Sequence, residues 1–205
     1  MGVPLVYRKS GEITIATYDF YDLSTKTGYK KFYGVNLING STTSYALITN
    51  QIYGDGSANT QSGDAALDLD FDVTFNNPTT IRGGFHVCVP VSIYSSLGAA
   101  VTTDVAIKLY KVVGATETQI GATATKTIAG TPGAGEYVVY NFSAVMDAPI
   151  TTFGLGDKFR LNITTTSPGG SKSIGIYHDP MARTGSYTSG TTSQLTAVVP
   201  FRVDL

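Results

Sequence analysis

The stretch Leu67-Asp68-Leu69-Asp70-Phe71-Asp72-Val73-Thr74-Phe75 alternates apolar and polar residues without a break. Successive side chains on a β-strand point to opposite faces. A strand here therefore lines one side with Leu67, Leu69, Phe71, Val73 and Phe75 and the other with Asp68, Asp70 and Asp72. A helix would scatter both sets around its circumference and bury neither. This segment is predicted to be a half-buried strand, and the same reading recurs along the chain.

Phe85, Val87, Val89, Val91 and Ile93 face one way, with His86, Cys88, Pro90, Ser92 and Tyr94 facing the other. Val105, Ile107 and Leu109 form a third set, and Phe159, Leu161 and Ile163, set between Lys158, Arg160 and Asn162, form a fourth. Leu195, Ala197, Val199, Phe201, Val203 and Leu205 form a fifth. Less regular strands are predicted at Ile13 to Tyr18, Tyr29 to Leu37, Tyr45 to Tyr53, Thr118 to Ile128, Tyr137 to Ile150 and Ile174 to His178. Glycine clusters at Gly54 to Gly56, Gly130 to Gly135 and Gly169-Gly170 supply turns, because glycine accepts positive φ. Val105 to Val113 and Thr118 to Ile128 read as a hairpin joined by Gly114 to Glu117. Pro90, inside an apparent strand, predicts an edge or a bulge. About ten strands at this spacing predict an all-β fold, an antiparallel two-sheet sandwich of jelly-roll type. Residues 1–12 are expected to form an N-terminal arm, and 13–205 a single sandwich domain.

The 205 residues suffice for one core without a staple, and the only cysteine, Cys88, excludes an internal disulfide. No secretory leader and no apolar run of membrane-spanning length is read in the sequence, so no membrane partner is expected. The formal net charge is −1, against the basic excess of a phosphate-binding protein. The one basic-aromatic cluster, Tyr29-Lys30-Lys31-Phe32-Tyr33, is explained by a solvated strand face, and no nucleic acid partner is expected.

Few constellations could carry chemistry. His86 and Cys88 share a strand face and could place a base beside a thiol, but a mixed outer face accounts for both. His178-Asp179-Pro180 closes a short strand at a turn, where Asp179 could brace the loop, and adjacent strand positions point apart, which argues against a dyad. Asp68, Asp70 and Asp72 offer oxygens to a hard cation, yet they spread over ~13 Å of strand. The loop Asp55 to Asp64 lacks the calcium-loop spacing and its closing Glu. A charged face that discourages edge pairing explains the three aspartates more simply. The three glutamates, Glu12, Glu117 and Glu136, fall in or near turns and strand ends, so nothing marks a glycosidase pair. No nucleophile elbow, phosphate loop or zinc-protease helix is present in the sequence. No catalytic, cofactor-binding or metal residue is assigned, and no enzyme activity or cofactor is expected.

Three stretches carry a resemblance. Gly156-Asp157-Lys158-Phe159-Arg160-Leu161-Asn162-Ile163 followed by Gly175-Ile176-Tyr177-His178-Asp179-Pro180 resembles the late strands of phage virion proteins. The terminal run Leu195 to Leu205 resembles the strand that closes such chains, and Ile107 to Gly121 is similar in kind. The resemblance implies a capsid-associated β-sandwich and transfers no site residue. Tyrosines on strands and loops (Tyr18, Tyr21, Tyr29, Tyr33, Tyr45, Tyr53, Tyr94, Tyr177, Tyr187) suit an interface, and the extended segments 1–12 and 181–194 suit contact arms.

The expected function is therefore that of a virion structural protein, a capsid or capsid-decorating subunit assembled in the host cytoplasm. Its expected partners are copies of itself, with a trimer preferred, and other capsid proteins. The alternative is a lectin-like carbohydrate-binding module, with a host glycan as partner. Sugar platforms present flat aromatics; this chain has no Trp and would use Tyr instead.

Overall fold

A computed structural model describes residues 27–39, 42–51, 59–181 and 194–203. The expected arm at 1–12, the strand at Ile13 to Tyr18 and most of the contact loop at 181–194 lie outside the described residues. The described chain is all-β, with twelve strands and no helix. In chain order these are β1 (Thr27–Asn39), β2 (Thr42–Ile48), β3 (Asn59–Ser62), β4 (Asp68–Thr74), β5 (Thr79–Ser95), β6 (Val101–Val113), β7 (Thr116–Gln119), β8 (Ala124–Gly130), β9 (Glu136–Phe153), β10 (Lys158–Thr165), β11 (Lys172–Tyr177) and β12 (Thr196–Val203).

All twelve join one mixed sheet with the path β3-β11-β5-β12-β1-β2-β4-β10-β6-β7, while β8 pairs with β6 and β9 with β5. Every pairing is antiparallel except β2 with β4, a short parallel contact that sets Tyr45 opposite Phe71 and Ala46 opposite Asp72. The hydrogen-bonded path is thus continuous, one mixed sheet where two separate antiparallel sheets were expected. The path curls back on itself. Phe85 on β5 stacks on Phe159 of β10 at 5.8 Å between ring centroids, and Phe153 at the end of β9 meets Phe159 edge-on. Leu69, Phe71, Val73, Val87, Val89, Val91, Ile93, Ile107, Leu109, Leu161 and Ile163 close into one core. These are the inward positions of the alternating runs, so the period-two reading holds where it was clearest.

Strand β5 runs through the middle of one half. Along one side it pairs with β9 over nearly its whole length. Along the other it pairs first with β12, up to Cys88, and then with β11, from Val91 onward. Pro90 sits at the gap between those two partners. The expected edge is therefore absent: β5 is interior, and proline is accommodated where one ladder is already interrupted. A register shift does occur in β5, but between Ile81 and Gly83.

The predicted hairpin forms with a shorter turn, because β6 and β7 close with Val113 opposite Thr116 and Gly114 at φ 60°. Its second arm is two strands and not one. The break falls at Gly121, whose φ of 71° and whose position against the Asp147 carbonyl leave no room for a Cβ. Strand β3, with no large apolar residue, lies in what read as an oxygen-rich loop; residues 55–58 of that loop are outside the described residues.

Candidate functional site

Asp68, Asp70 and Asp72 face outward, as expected, and their partner strand explains them. Strand β4 is not an edge, so the charges do not serve to discourage edge pairing. It pairs in register with β10, setting Asp72 opposite Arg160 and Asp70 opposite Asn162. The Arg160 guanidinium donates to both Asp72 oxygens, from Nε at 2.7 Å and Nη2 at 2.8 Å. Its Nη1 donates to Asp70 Oδ2 at 2.7 Å and to Glu117 on β7. Asn162 Nδ2 donates to Asp68 and Asp70 at 2.7 and 2.8 Å, and Lys158 Nζ lies 3.5 Å from Asp72. The hydrogen bonds to Asp72, outweighing burial, raise the Arg160 pKa still further above its ordinary value. Such a bidentate pair fixes direction as well as charge. The three carboxylates are cross-strand partners of two cations and one amide. Among the described residues no group of three His, Cys, Asp or Glu is arranged to hold a metal ion.

A second polar cluster lies inside the fold. His178 follows β11, and its side chain turns inward and is 1% exposed. The ring packs edge-on to Tyr45 at 5.6 Å and against Phe71 at 5.8 Å. Nε2 is 2.9 Å from Thr60 Oγ1, which is itself 2.9 Å from the Tyr45 hydroxyl. Tyr45, Thr60 and His178 thus form a chain of hydrogen bonds tying β2, β3 and the end of β11 together. His178 Nδ1 is buried without a hydrogen-bond partner. Burial, working against the nearby Asp179 charge, pushes the His178 pKa down to about 4. Asp179 points elsewhere and braces the turn by accepting the Met181 backbone N–H at 3.0 Å. The hydroxyl–imidazole pair has nucleophile–base spacing, with His178 buried and Thr60 half-buried, and it ties three elements together. Nothing in the sequence linked Thr60 to His178, since they meet across 118 positions.

His86 and Cys88 share the outer face of β5, His86 exposed and Cys88 half-buried, and no hydrogen bond joins them. Further along that face Tyr94 lies against Tyr137 of β9 at 4.6 Å, and the Tyr137 hydroxyl donates to Gln61 on β3. Pro90 and Ser92, on the same face between them, are buried. Lys111 spans from β6 to the β9–β10 turn. It reaches the Thr152 carbonyl at 2.6 Å and Asp157 at 3.2 Å. The Gly154 backbone N–H, helped by Lys111, holds the Asp157 carboxyl below the usual range. Glu136 begins β9 and its backbone N–H bonds the Gly133 carbonyl; Glu12 is outside the described residues.

No known protein family matches the sequence, and no curated protein matches it either. Solved structures do share the fold. An aminopeptidase from the marine sediment archaeon Thaumarchaeota archaeon aligns with a TM-score of 0.54 at 7% identity, over 87% of this chain and 37% of that one. An α-amino acid ester hydrolase aligns with a TM-score of 0.53 at 12% identity, over 84% of this chain and 36% of that one. The chain therefore spans a little over a third of the hydrolases it matches, and at these identities the likeness is one of fold. The structure of infectious bursal disease virus, Gx strain, aligns over 82% of this chain at 13% identity, with a TM-score of 0.27, too low to carry an argument.

Proposed function

We propose that this chain is a virion structural protein, a capsid or capsid-decorating subunit built on a jelly-roll-type sandwich that works by packing against other proteins. The observation that carries this reading is where large apolar side chains stand exposed. Val145 and Tyr29, on outer strand faces, are 78% and 70% exposed, and Leu97, Ile150 and Leu155 are similarly bare. Residues of this kind bury area in protein contacts. The polar groups that could have carried chemistry are held by neighbours within the chain, the outward aspartates by Arg160 and Asn162 and the buried His178 by Thr60. The proposed partners are further copies of the chain, in a trimer or a larger shell, and other capsid proteins. Expression of the chain, sedimentation through a dense cushion and electron microscopy of the pellet test this. Shells, rings or regular clusters support it, and a chain that stays wholly in the supernatant as single subunits overturns it.

The tilted Tyr94–Tyr137 pair beside Gln61 favours a second reading, a carbohydrate-binding module with this aromatic patch as its sugar platform. A glycan array tests it: binding lost in Tyr137→Ala supports it, and an array without a hit removes it. The likeness to stretches of hydrolase chains concerns the fold, and we carry no hydrolase residue over to this chain.

A further inference from the structure

We propose that β3 is an acid-released edge strand: protonation of His178 frees Asn59–Ser62 from β11 and uncovers the β11 edge while the rest of the sheet stays folded. This release does not depend on the packing role proposed above. Little holds β3 in place. It lies at one end of the sheet path and, among the described strands, pairs with β11 alone, from Asn59 opposite Tyr177 to Ser62 opposite Ile174. None of its side chains belongs to the apolar core. Ser62 is buried, but its hydroxyl donates to the adjacent Gly63 carbonyl, and Gln61 is exposed where it accepts from Tyr137. Thr60 differs from both. Its hydroxyl lies 2.9 Å from His178 Nε2 and 2.9 Å from the Tyr45 hydroxyl, so one side chain ties the edge strand to a buried ring and to β2. A strand with so few buried apolar contacts opens locally at less cost than the core does.

The tie suits a neutral ring and fails a charged one. His178 is buried against the rings of Tyr45 and Phe71, with Nε2 at Thr60 and Nδ1 without a partner. Whichever nitrogen carries the proton in the neutral ring, a second proton leaves a charged Nδ1–H in this pocket with no acceptor. Burying such a group is costly. The surrounding elements bring no relief. From β2 comes the Tyr45 phenol, and β3 carries only hydroxyls and amides. From β4 comes Phe71, whose neighbours Asp70 and Asp72 turn outward to Arg160. On its own stretch His178 follows Tyr177 and precedes Asp179, whose carboxylate accepts the Met181 backbone N–H and whose charge does not offset the burial. Withdrawal of Thr60 with β3 opens the ring to water, where it takes up a proton near its ordinary pKa of 6.5, against about 4 in the closed form. Acid therefore favours the open form. Linkage of the two values raises its population about 30-fold between pH 7.5 and pH 5.

Hydrogen exchange of the intact chain, read by mass spectrometry at pH 7.5 and pH 5 and corrected for the intrinsic pH dependence of exchange, tests the release. Peptides covering Asn59–Ser62 report β3, and peptides from β5 report the core. The control is β7, the four-residue strand at the other end of the path. Protection of β3 is expected to lie below that of β5 at both pH values and to fall about 30-fold from pH 7.5 to pH 5, while β7 changes by less than about 3-fold. Two variants that cannot titrate, His178→Gln and His178→Phe, are measured in the same way, the second keeping a ring beside Tyr45 and Phe71. In whichever of them circular dichroism shows to be folded, β3 is expected to change by less than about 3-fold over the same interval. The parent comparison of β3 with β7 decides even if neither variant folds. Protection of β3 that does not fall, that falls no more than that of β7, or that equals that of β5 overturns the proposal. So does an equal fall in a folded His178 variant.

Discussion

His178 makes the stability of this protein depend on acidity in a defined window. The imidazole sits neutral among Tyr45, Phe71 and Thr60, and its folded pKa is about 4 against an ordinary value of 6.5. A depressed folded value means that the unfolded chain takes up the proton first. Stability is therefore complete above the unfolded value and is lost as the pH falls toward the folded one. Integrating over the window gives a loss of about 2 kcal/mol by pH 5 and about 3 kcal/mol by pH 4. A domain of ordinary stability has only about 5–15 kcal/mol to lose. The other titratable groups at the site are Asp179, next in the chain, and the Tyr45 phenol. The perturbation is therefore paired with His178→Gln, which keeps a polar side chain and cannot titrate. Urea unfolding followed by circular dichroism, at pH 7.5 and pH 5, measures both proteins. The parent is expected to lose about 2 kcal/mol more than the variant across that interval, the carboxylates and His86 being common to both. Equal losses would refute the reasoning, since His178 would then titrate as it does in the unfolded chain.

The Arg160 cluster makes a second prediction. Removing the guanidinium in Arg160→Met leaves Asp70 and Asp72 facing each other on β4 without their cation, at an expected cost of about 2–3 kcal/mol. A double-mutant cycle with Asp72→Asn, read by thermal unfolding, is expected to show a coupling of about 1–3 kcal/mol, and a coupling near zero would contradict the bidentate geometry. Gly121→Ala is expected to cost about 1–3 kcal/mol in the same assay, because the residue sits at positive φ against the Asp147 carbonyl. Gly114→Ala, at positive φ in the open β6–β7 turn, is expected to cost less than Gly121→Ala, and the reverse order would contradict the crowding argument.

Most of the strand content was legible because period-two alternation is a local property. Leu67 to Phe75 and Phe85 to Ile93 carry it in consecutive residues, and both fold as read. What local pattern does not carry is which strands lie side by side. The aspartates at 68, 70 and 72 and the residues Lys158, Arg160 and Asn162 were each read as outward stripes. Their identical spacing and opposite character were the available signal that β4 pairs with β10. Pro90 predicts an edge or a bulge because the sequence does not reveal that β5 changes partner from β12 to β11 beside it. The split of the second hairpin arm at Gly121 depends on the Asp147 carbonyl, which arrives from 26 positions away. His178 was placed at a turn correctly, but its inward direction is set by Thr60 and Tyr45, and neither is near it in the chain. Strand β3 escaped notice because its four residues, Asn59–Ser62, offer no apolar alternation and take their place from pairing with β11.

The central claim, that this chain works by packing against other proteins and first of all against itself, is tested most directly by size-exclusion chromatography with light scattering across a range of concentrations. A mass that is a multiple of the 21.6 kDa subunit, rising with concentration or running into large assemblies visible by electron microscopy, is the result predicted. A mass of one subunit at every concentration contradicts it.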